Sequence, residues 1–292
     1  MFRIIDTSSE IFAAYDGGRF DLEKWKTYMD MLPPGAKKLC LADMEEVVAA
    51  GYTWENYFLP VLNAVPEDEA GMAKVAESFQ KITADAEEKI RKCFGRVPDA
   101  DIILYLGLCN GAGWVTDIDG RRSVLMGIEK IMELGWGDLD HMNGLVLHEL
   151  GHVYQSQFGV LTRDELQGAD KWLWQLFTEG IAMVFEQELV GDANYFHQDK
   201  DGWKNWCDDH VCEIAEAFAN DRNTMTSENQ RYFGDWVSFE GQPDVGYYLG
   251  TRFVREILKK DTFDNIICYE IEDVKRNLET REDCDYENRR KK

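Results

Sequence analysis

Two histidines one helical turn apart most constrain what this chain can form. The segment His148-Glu-Leu-Gly-His152 has the pattern His-Glu-x-x-His. On an α-helix this spacing places both imidazoles on one face, where they can bind a single metal ion. Neutral imidazole nitrogens suit Zn²⁺, and Glu149 lies beside the metal, where it can accept a proton from metal-bound water. The segment therefore predicts a helix that carries two ligands and a general base.

The residues around this segment predict that the helix is buried. The flanking apolar positions are Leu139, Met142, Leu145, Val146, Leu147, Leu150 and Val153. Asp138 or Asp140 is a suitable N-cap before this apolar run. Two imidazoles on so apolar a helix are costly unless something satisfies their polar atoms. A metal site is therefore preferred over a structural pair of histidines.

The composition limits the classes of partner. Of the 292 residues, 45% are hydrophobic and 12% aromatic, which predicts a globular rather than a disordered chain. The net charge of −23 disfavours nucleic acid and anionic membranes as partners, because both are negatively charged. No signal peptide or membrane-spanning run is recognised, and the seven cysteines include no C-x-x-C pair. A cytoplasmic protein with free thiols is the expectation.

The chain is predicted to have two parts. Residues 1–98 are predicted to form a mainly helical N-terminal region, in which Glu67–Phe94 has the longest amphipathic pattern. Residues 99–292 are predicted to form the catalytic domain, which begins with strands at Asp101–Gly107, Gly111–Asp117 and Ser123–Ile128. Small residues at Gly111–Trp114 predict either an edge strand beside the metal or an ordinary hairpin with a glycine bulge.

Other helices are predicted from shorter patterns. They lie at Asp21–Met31, which Pro33-Pro34-Gly35 ends, at Ala42–Ala50, at Lys171–Val190 and at Gly250–Lys260. The basic tail Arg289–Lys292 is predicted to be solvated.

A catalytic zinc usually has three protein ligands and an open position, so a third ligand is needed. The pattern His-Glu-x-x-His-x-x-Gly-x-x-His is excluded, because Gln155 and Phe158 stand where it requires glycine and histidine. His197 and His210 lie in polar segments and are predicted to be exposed. Two other candidates are less suitable: His141 lies two turns before His148, too far to share the same ion, and Glu165 lies near a predicted loop.

Glu179 is the preferred third ligand. It lies in the middle of the predicted helix Lys171–Val190, where almost every non-acidic residue is apolar. An unpaired carboxylate there would be costly, whereas coordination of a metal removes the cost. The predicted site is His148, His152 and Glu179 with one Zn²⁺ per chain.

These motifs resemble a known class of enzymes. His148-Glu-Leu-Gly-His152 followed by Thr178-Glu-Gly-Ile-Ala182 resembles the gluzincin clan of zinc metallopeptidases, in which the third ligand is a glutamate. The Glu-Gly-x-Ala box is similar to that of the zinc aminopeptidases and of a less studied family of predicted zinc-dependent proteases. The second family is more similar, because Gly246-Tyr-Tyr-Leu-Gly250 resembles its Gly-Tyr-x-x-Gly segment. The resemblance covers roughly residues 100–260.

The resemblance implies the ligands His148, His152 and Glu179, with Glu149 as the base. The chain departs from the aminopeptidases in one respect, since no Gly-x-Met-x-Asn box precedes the zinc helix. Recognition of a free amino terminus is therefore not implied.

Three further residues are candidates for supporting roles. Glu186, seven residues after Glu179, matches an acidic position of the aminopeptidases and could accept a hydrogen bond from a ligating imidazole, or be a solvated carboxylate. Tyr248, or less favourably Tyr247, could donate its hydroxyl to the oxyanion of a tetrahedral intermediate. Each could equally be a tyrosine of the core.

The expected protein is an α+β, zincin-like zinc hydrolase, and a peptidase is preferred. Water activated by zinc and Glu149 is expected to attack a carbonyl of a peptide or protein substrate. Two alternatives stay open. The same residues could hydrolyse an ester or an epoxide, or the protein could be catalytically silent and use the zinc-containing cleft to bind a peptide or a partner.

Overall fold

The computed structural model of the chain describes residues 1–278 and has an α+β fold. Residues 279–292, with the basic tail Arg289–Lys292, lie outside the described residues. The chain divides into two compact units, Met1–Val153 and Tyr154–Lys292. This division differs from the boundary predicted after residue 98, because a strand at the N-terminus pairs with a strand that follows residue 98.

A mixed four-stranded sheet organises the first unit. The strands of this unit are β1 (Phe2–Asp6), β2 (Tyr15–Asp16), β3 (Arg19–Phe20), β4 (Ala100–Tyr105), β5 (Gly113–Ile118) and β6 (Arg121–Gly127). Strands β2 and β3 form a separate small hairpin, and the sheet has the order β1-β4-β6-β5. Strand β4 pairs in parallel with β1 and β6, and all its residues are buried, as its continuous apolar run predicts.

Strand β5 forms one edge of this sheet and pairs antiparallel with β6. Asp119 and Gly120 join the two strands with φ values of 52° and 80°. Two consecutive positive φ values define a type I′ turn, for which Asp-Gly is a preferred sequence. The turn sets the register, in which Gly113 lies opposite Met126 at the start of the edge strand.

The helices of the first unit begin before the sheet and continue after it. They are α1 (Leu22–Tyr28), α2 (Pro34–Ala49), α3 (Leu59–Ala64), α4 (Glu69–Phe94), α5 (Ile128–Leu134) and α6 (Leu139–Phe158), the last of which continues past the division between the units. Helix α4 confirms the long predicted helix, because Asp68 caps its start and Gly95, with φ 74°, ends it. Helix α2 starts eight residues earlier than predicted, at Pro34. Proline is tolerated at the first position of a helix, because the N–H that it lacks would have no partner within the helix.

Helix α6 carries the His-Glu-x-x-His segment. The N–H groups of Asp140 and His141 both donate to Oδ1 of Asp138 at 3.0 Å, so Asp138 is the N-cap rather than Asp140. The predicted apolar positions of α6 are buried except Leu139, which is 49% exposed in the first turn. The helix therefore becomes buried before it reaches His148.

The second unit is helical in its described part. Its helices include α7 (Gly168–Val190), α8 (Trp203–Asp209), α9 (Val211–Asp221), α10 (Val245–Leu258) and α11 (Phe263–Ile266), and residues 271–278 are also helical. Helix α10 starts five residues earlier than predicted, so Tyr247 and Tyr248 belong to its first turn. Helices α7 and α10 approach so closely that a Cβ on Gly180 would lie 2.5 Å from the carbonyl carbon of Gly250. Their backbones are therefore in direct contact.

Among residues 1–278, no helix combines the length and the apolar character that crossing a bilayer requires. The described cysteines form no disulfide with one another: Cys40, Cys93, Cys109, Cys207, Cys212 and Cys268.

Candidate metal centre

Two imidazoles and one carboxylate come together in the structure. His148 and His152 lie on α6, and Glu179 lies on α7. Each side chain offers one ligand atom, and these three atoms all lie within 4.8 Å of one another. His148 is buried, whereas His152 and Glu179 are half-buried. The three predicted ligands are thus close together, and two of them keep some access to solvent.

The donor atoms of this group fit zinc. Two imidazole nitrogens and one carboxylate oxygen are a recognised ligand set of catalytic zinc sites. Atoms about 2.0–2.1 Å from one ion in tetrahedral geometry lie about 3.4 Å from each other. That spacing falls inside the 4.8 Å limit of the group. Three ligands also leave one position open, whereas structural zinc sites usually have four protein ligands.

Glu149 lies against the first residue of β5. It is 7% exposed, and a Cβ on Gly113 would lie 2.7 Å from its Oε1 and 2.8 Å from its Cγ. Because residue 113 has no side chain, the backbone of β5 can approach the carboxylate this closely. The arrangement agrees with the edge strand predicted from the small residues at Gly111–Trp114.

Glu186 is fully buried and has a histidine partner. Nδ1 of His197 lies 2.9 Å from Oε2 and 3.1 Å from Oε1 of Glu186, and the backbone N–H of His197 donates to Oε1 at 3.3 Å. His197 is only 4% exposed, so the prediction that it is exposed was wrong. Its polar sequence neighbours predict a surface position. His197 is nevertheless buried, because the buried carboxylate of Glu186 needs a hydrogen-bonding partner and the imidazole supplies it.

Glu186 and His197 also form a group with one of the candidate ligands. Ligand-type atoms of His148, Glu186 and His197 all lie within 4.8 Å of one another, and all three residues are buried. This proximity supports the predicted role of Glu186 beside a ligating imidazole. One feature of the sequence indicated that such a partner exists: Glu186 lies on a very apolar helix, where a carboxylate needs a hydrogen-bonding partner.

Tyr248 has a specific hydrogen-bonding partner. Its hydroxyl donates to Oδ1 of Asp208 at 2.7 Å, and its ring packs 5.7 Å from the ring of Phe196. Burial raises the pKa of Tyr248 well above its usual value, with Asp208 adding to the effect, so the phenol remains protonated. Tyr247 is half-buried, and its ring lies 6.0 Å from that of Phe233. The role of either hydroxyl in oxyanion stabilisation stays a prediction.

The other candidates for the third ligand have different surroundings. Nδ1 of His141 lies 2.8 Å from Oδ2 of Asp138, and the ring of His210 stacks on Trp206 at 4.1 Å. Glu165 is exposed. In the part of the chain that the structure describes, none of these three candidates belongs to a group of donors that could hold a metal.

Asp244 is an acidic group near Glu179 that the sequence did not indicate. It precedes α10 with φ 57°, is buried, and accepts a hydrogen bond from the N–H of Gly234 at 3.0 Å. Burial raises the pKa of Asp244 to about 7, with a smaller contribution from the negative charges of Asp235 and Glu179, while the hydrogen bond from Gly234 opposes the rise. In the sequence Asp244 is an ordinary turn residue, and only the fold brings its charge close to Glu179.

No protein-family model, curated protein or solved structure matches this chain. The assignment of the site therefore depends on the sequence motifs and on the geometry described above.

Proposed function

We propose that the protein is a zinc-dependent hydrolase with a zincin-like fold, and that it acts as a peptidase. The observation that carries this proposal is the convergence of His148, His152 and Glu179, whose ligand atoms all lie within 4.8 Å of one another. Glu149 follows the first ligand and is buried against the edge strand β5. A mixed sheet that precedes the ligand-bearing helix supports the zincin-like assignment.

The residues of the site have distinct roles in the proposed reaction. His148, His152 and Glu179 would hold the zinc ion, which when bound lowers the pKa of a water ligand and polarises a carbonyl oxygen. Glu149 accepts a proton from the water whose oxygen bonds to the carbonyl carbon. As the C–N bond breaks, the carboxyl group of Glu149 returns that proton to the leaving nitrogen, and an acid and an amine result.

The edge strand supports a peptide as the substrate. Extended peptides can bind to an exposed sheet edge through main-chain hydrogen bonds, and β5 is the outermost strand on its side of the sheet. Its first residue, Gly113, lies against Glu149. A peptide aligned with β5 would therefore run beside the general base. An ester or an epoxide has no peptide main chain with which to pair with the strand, so the edge strand favours a peptide substrate.

The metal assignment is tested by metal content. Plasma mass spectrometry should find about one zinc ion per chain in the wild-type protein and in Glu188→Ala, and much less in Glu179→Ala. Glu188 is the matched control, because it is an exposed carboxylate on the same helix. Full zinc content in Glu179→Ala would exclude this ligand, and a wild-type protein that takes up no zinc would contradict the proposed function.

The catalytic assignment is tested with Glu149→Gln. This variant should keep its zinc and lose hydrolysis of a pooled fluorescence-quenched peptide library by about 10²- to 10⁴-fold, because the amide cannot accept the proton. An unchanged rate would exclude Glu149 as the base. If the zinc-loaded wild-type protein cleaves only esters or epoxides, or no substrate, the corresponding alternative replaces the peptidase.

A further inference from the structure

Glu129 is a buried carboxylate that the proposed reaction does not use. It is the second residue of α5 and is 1% exposed. The N–H of Gly107 donates to its Oε2 at 2.8 Å, and the N–H of Cys109 donates to its Oε1 at 3.1 Å. A buried carboxylate is costly unless hydrogen bonds satisfy it, so these two bonds tie α5 firmly to the segment that donates them.

That segment is the connection between β4 and β5, residues 106–112, called here the β4–β5 loop. Cys109 has φ 59°, a conformation that a residue with a side chain adopts only when its surroundings enforce it. A Cβ on Gly107 would collide with Oε1 of Glu129, so the backbone lies directly on the carboxylate. The loop is therefore fitted closely to Glu129.

Asn110 holds the other side of the same loop. Its Oδ1 accepts the N–H of Leu108 at 2.9 Å, and its Nδ2 donates to the carbonyl oxygen of Cys40 at 3.1 Å and to Oδ2 of Asp43 at 2.7 Å. Glu129 and Asn110 thus fix the loop from two directions. A loop with so many polar contacts has one favoured position.

The end of the loop leads to the proposed base. The N–H of Gly127 donates to the carbonyl oxygen of Ala112 at 3.1 Å, and β5 then starts with Gly113. The backbone of Gly113 lies against the carboxylate of Glu149, where a Cβ would lie 2.7 Å from Oε1. Together with the pairing of Gly113 with Met126, the position of the loop therefore determines how closely the start of β5 approaches Glu149.

We propose that Glu129 is a positioning residue for the general base, because it holds the β4–β5 loop and through it keeps Gly113 against the carboxylate of Glu149. This inference rests on the proposed function. Displacement of a catalytic group by about 1 Å can lower a rate by roughly 100-fold, so a residue that touches no substrate can still control the rate.

The test is Glu129→Gln at pH 8, compared with Glu133→Gln. The amide has one oxygen, and its NH₂ group would face a backbone N–H, so one of the two bonds to the loop is lost. The kcat for the quenched peptide that the wild-type protein cleaves should fall about 10- to 100-fold, while KM and the zinc Kd stay within about twofold. Hydrogen exchange should become faster in residues 107–113. Glu133 is the matched control, since it lies on the same helix with a 42% exposed side chain and pairs with Lys130. Glutamine at 133 keeps an oxygen that can accept from Lys130, so this variant should retain the wild-type kcat.

A second measurement separates positioning from general support of the fold. In a Glu149→Gln background, Glu129→Gln should cause no further loss of rate, because the base that it positions is already absent. A wild-type kcat in Glu129→Gln, a parallel loss of zinc, or an additive loss in the double variant would each overturn the inference.

If Glu129→Gln does not fold, Asn110→Ala loosens the same loop and should give the same pattern. A wild-type kcat in Asn110→Ala would also overturn the inference. A wild-type protein without zinc or hydrolysis would instead refute the proposed function, and the inference with it.

Discussion

Gly180→Ala should destabilise the protein and weaken the proposed zinc site at the same time. Gly180 follows the candidate ligand Glu179 and lies where α7 contacts α10. A Cβ at this position would be 2.5 Å from the carbonyl carbon of Gly250, about 0.9 Å short of the 3.4 Å at which ordinary contact begins, and 2.9 Å from Cγ2 of Val254. Alanine has no rotamer that relieves a clash with backbone, so the helices must separate.

The size of the effect follows from two opposing contributions. Overpacking of a well-packed contact costs roughly 1–3 kcal/mol, and the rigid backbone partner places this contact at the upper end. Replacing glycine by alanine within a helix returns about 1 kcal/mol. The free energy of unfolding should therefore fall by about 2 kcal/mol, which lowers Tm by about 3–4 °C in a chain of 292 residues. A shift of α7 also moves Glu179, so the zinc affinity should fall by about 10- to 100-fold.

Differential scanning calorimetry of the apo protein and zinc titration against a chromophoric chelator measure the two effects. Glu188→Gln is the control, because it removes an exposed ion pair with Arg255 between the same two helices without adding volume. Its stability should change by less than about 0.5 kcal/mol. An unchanged Tm and zinc affinity in Gly180→Ala would refute the inference that the two backbones touch.

Three other predictions concern the surroundings of the site. Gly113→Ala should keep zinc and fold normally but lower kcat by roughly 100-fold, because the new Cβ displaces the flexible end of Glu149; a normal kcat would exclude the close approach. His197→Ala should lower the free energy of unfolding by about 2–4 kcal/mol in urea titrations, because Glu186 loses a buried partner, whereas His197→Gln should recover part of the loss by retaining a donor. Burial raises the pKa of Glu129 from 4.5 to about 7 in the folded protein. Because the folded state binds this proton more tightly than the unfolded state, protonation stabilises the fold by up to about 3 kcal/mol below pH 4.5. This contribution is lost as the pH rises from 4.5 through 7. The free energy of unfolding of the wild-type protein relative to Glu129→Gln should therefore decrease between pH 5 and pH 8, and a constant difference would contradict the raised pKa.

The elements that could be predicted from the sequence are those that local interactions determine. Helix α4 has an apolar face at three- and four-residue spacing, a capping aspartate before it and a glycine after it, and all of these signals lie within the segment itself. The spacing of His148 and His152 likewise needs only a helix to bring the imidazoles together. The proximity of Glu179 to the two histidines could be predicted, because a carboxylate in a long apolar helix conflicts with its local surroundings, whereas its role as a ligand stays a prediction.

The features that could not be predicted depend on contacts distant in sequence. Strand β1 is short and has no fully buried residue, and it belongs to the sheet because it pairs in parallel with β4, with Ile4 opposite Ile102. His197 stands among polar residues, and Glu186 is the partner that accounts for its burial. Glu129 gave no signal in the sequence, since its importance arises only when the β4–β5 loop is folded onto it. In each case a partner outside the local segment determines the environment.

The motifs that resemble the gluzincins have different physical roles in this structure. Gly180 belongs to the Glu-Gly-x-Ala box and Gly250 to the Gly-Tyr-x-x-Gly segment, and the two glycines form one contact between helix backbones. The match to these patterns at the two glycines thus reflects a packing requirement. The hydroxyl of Tyr248, in the same segment as Gly250, donates a hydrogen bond to Asp208. The case for catalysis therefore depends on Glu149, since a zinc-binding scaffold needs the three ligands and the close helix contact but has no use for a general base. For this reason Glu149→Gln, rather than a change at a tyrosine or a glycine, distinguishes an enzyme from a protein that only binds zinc.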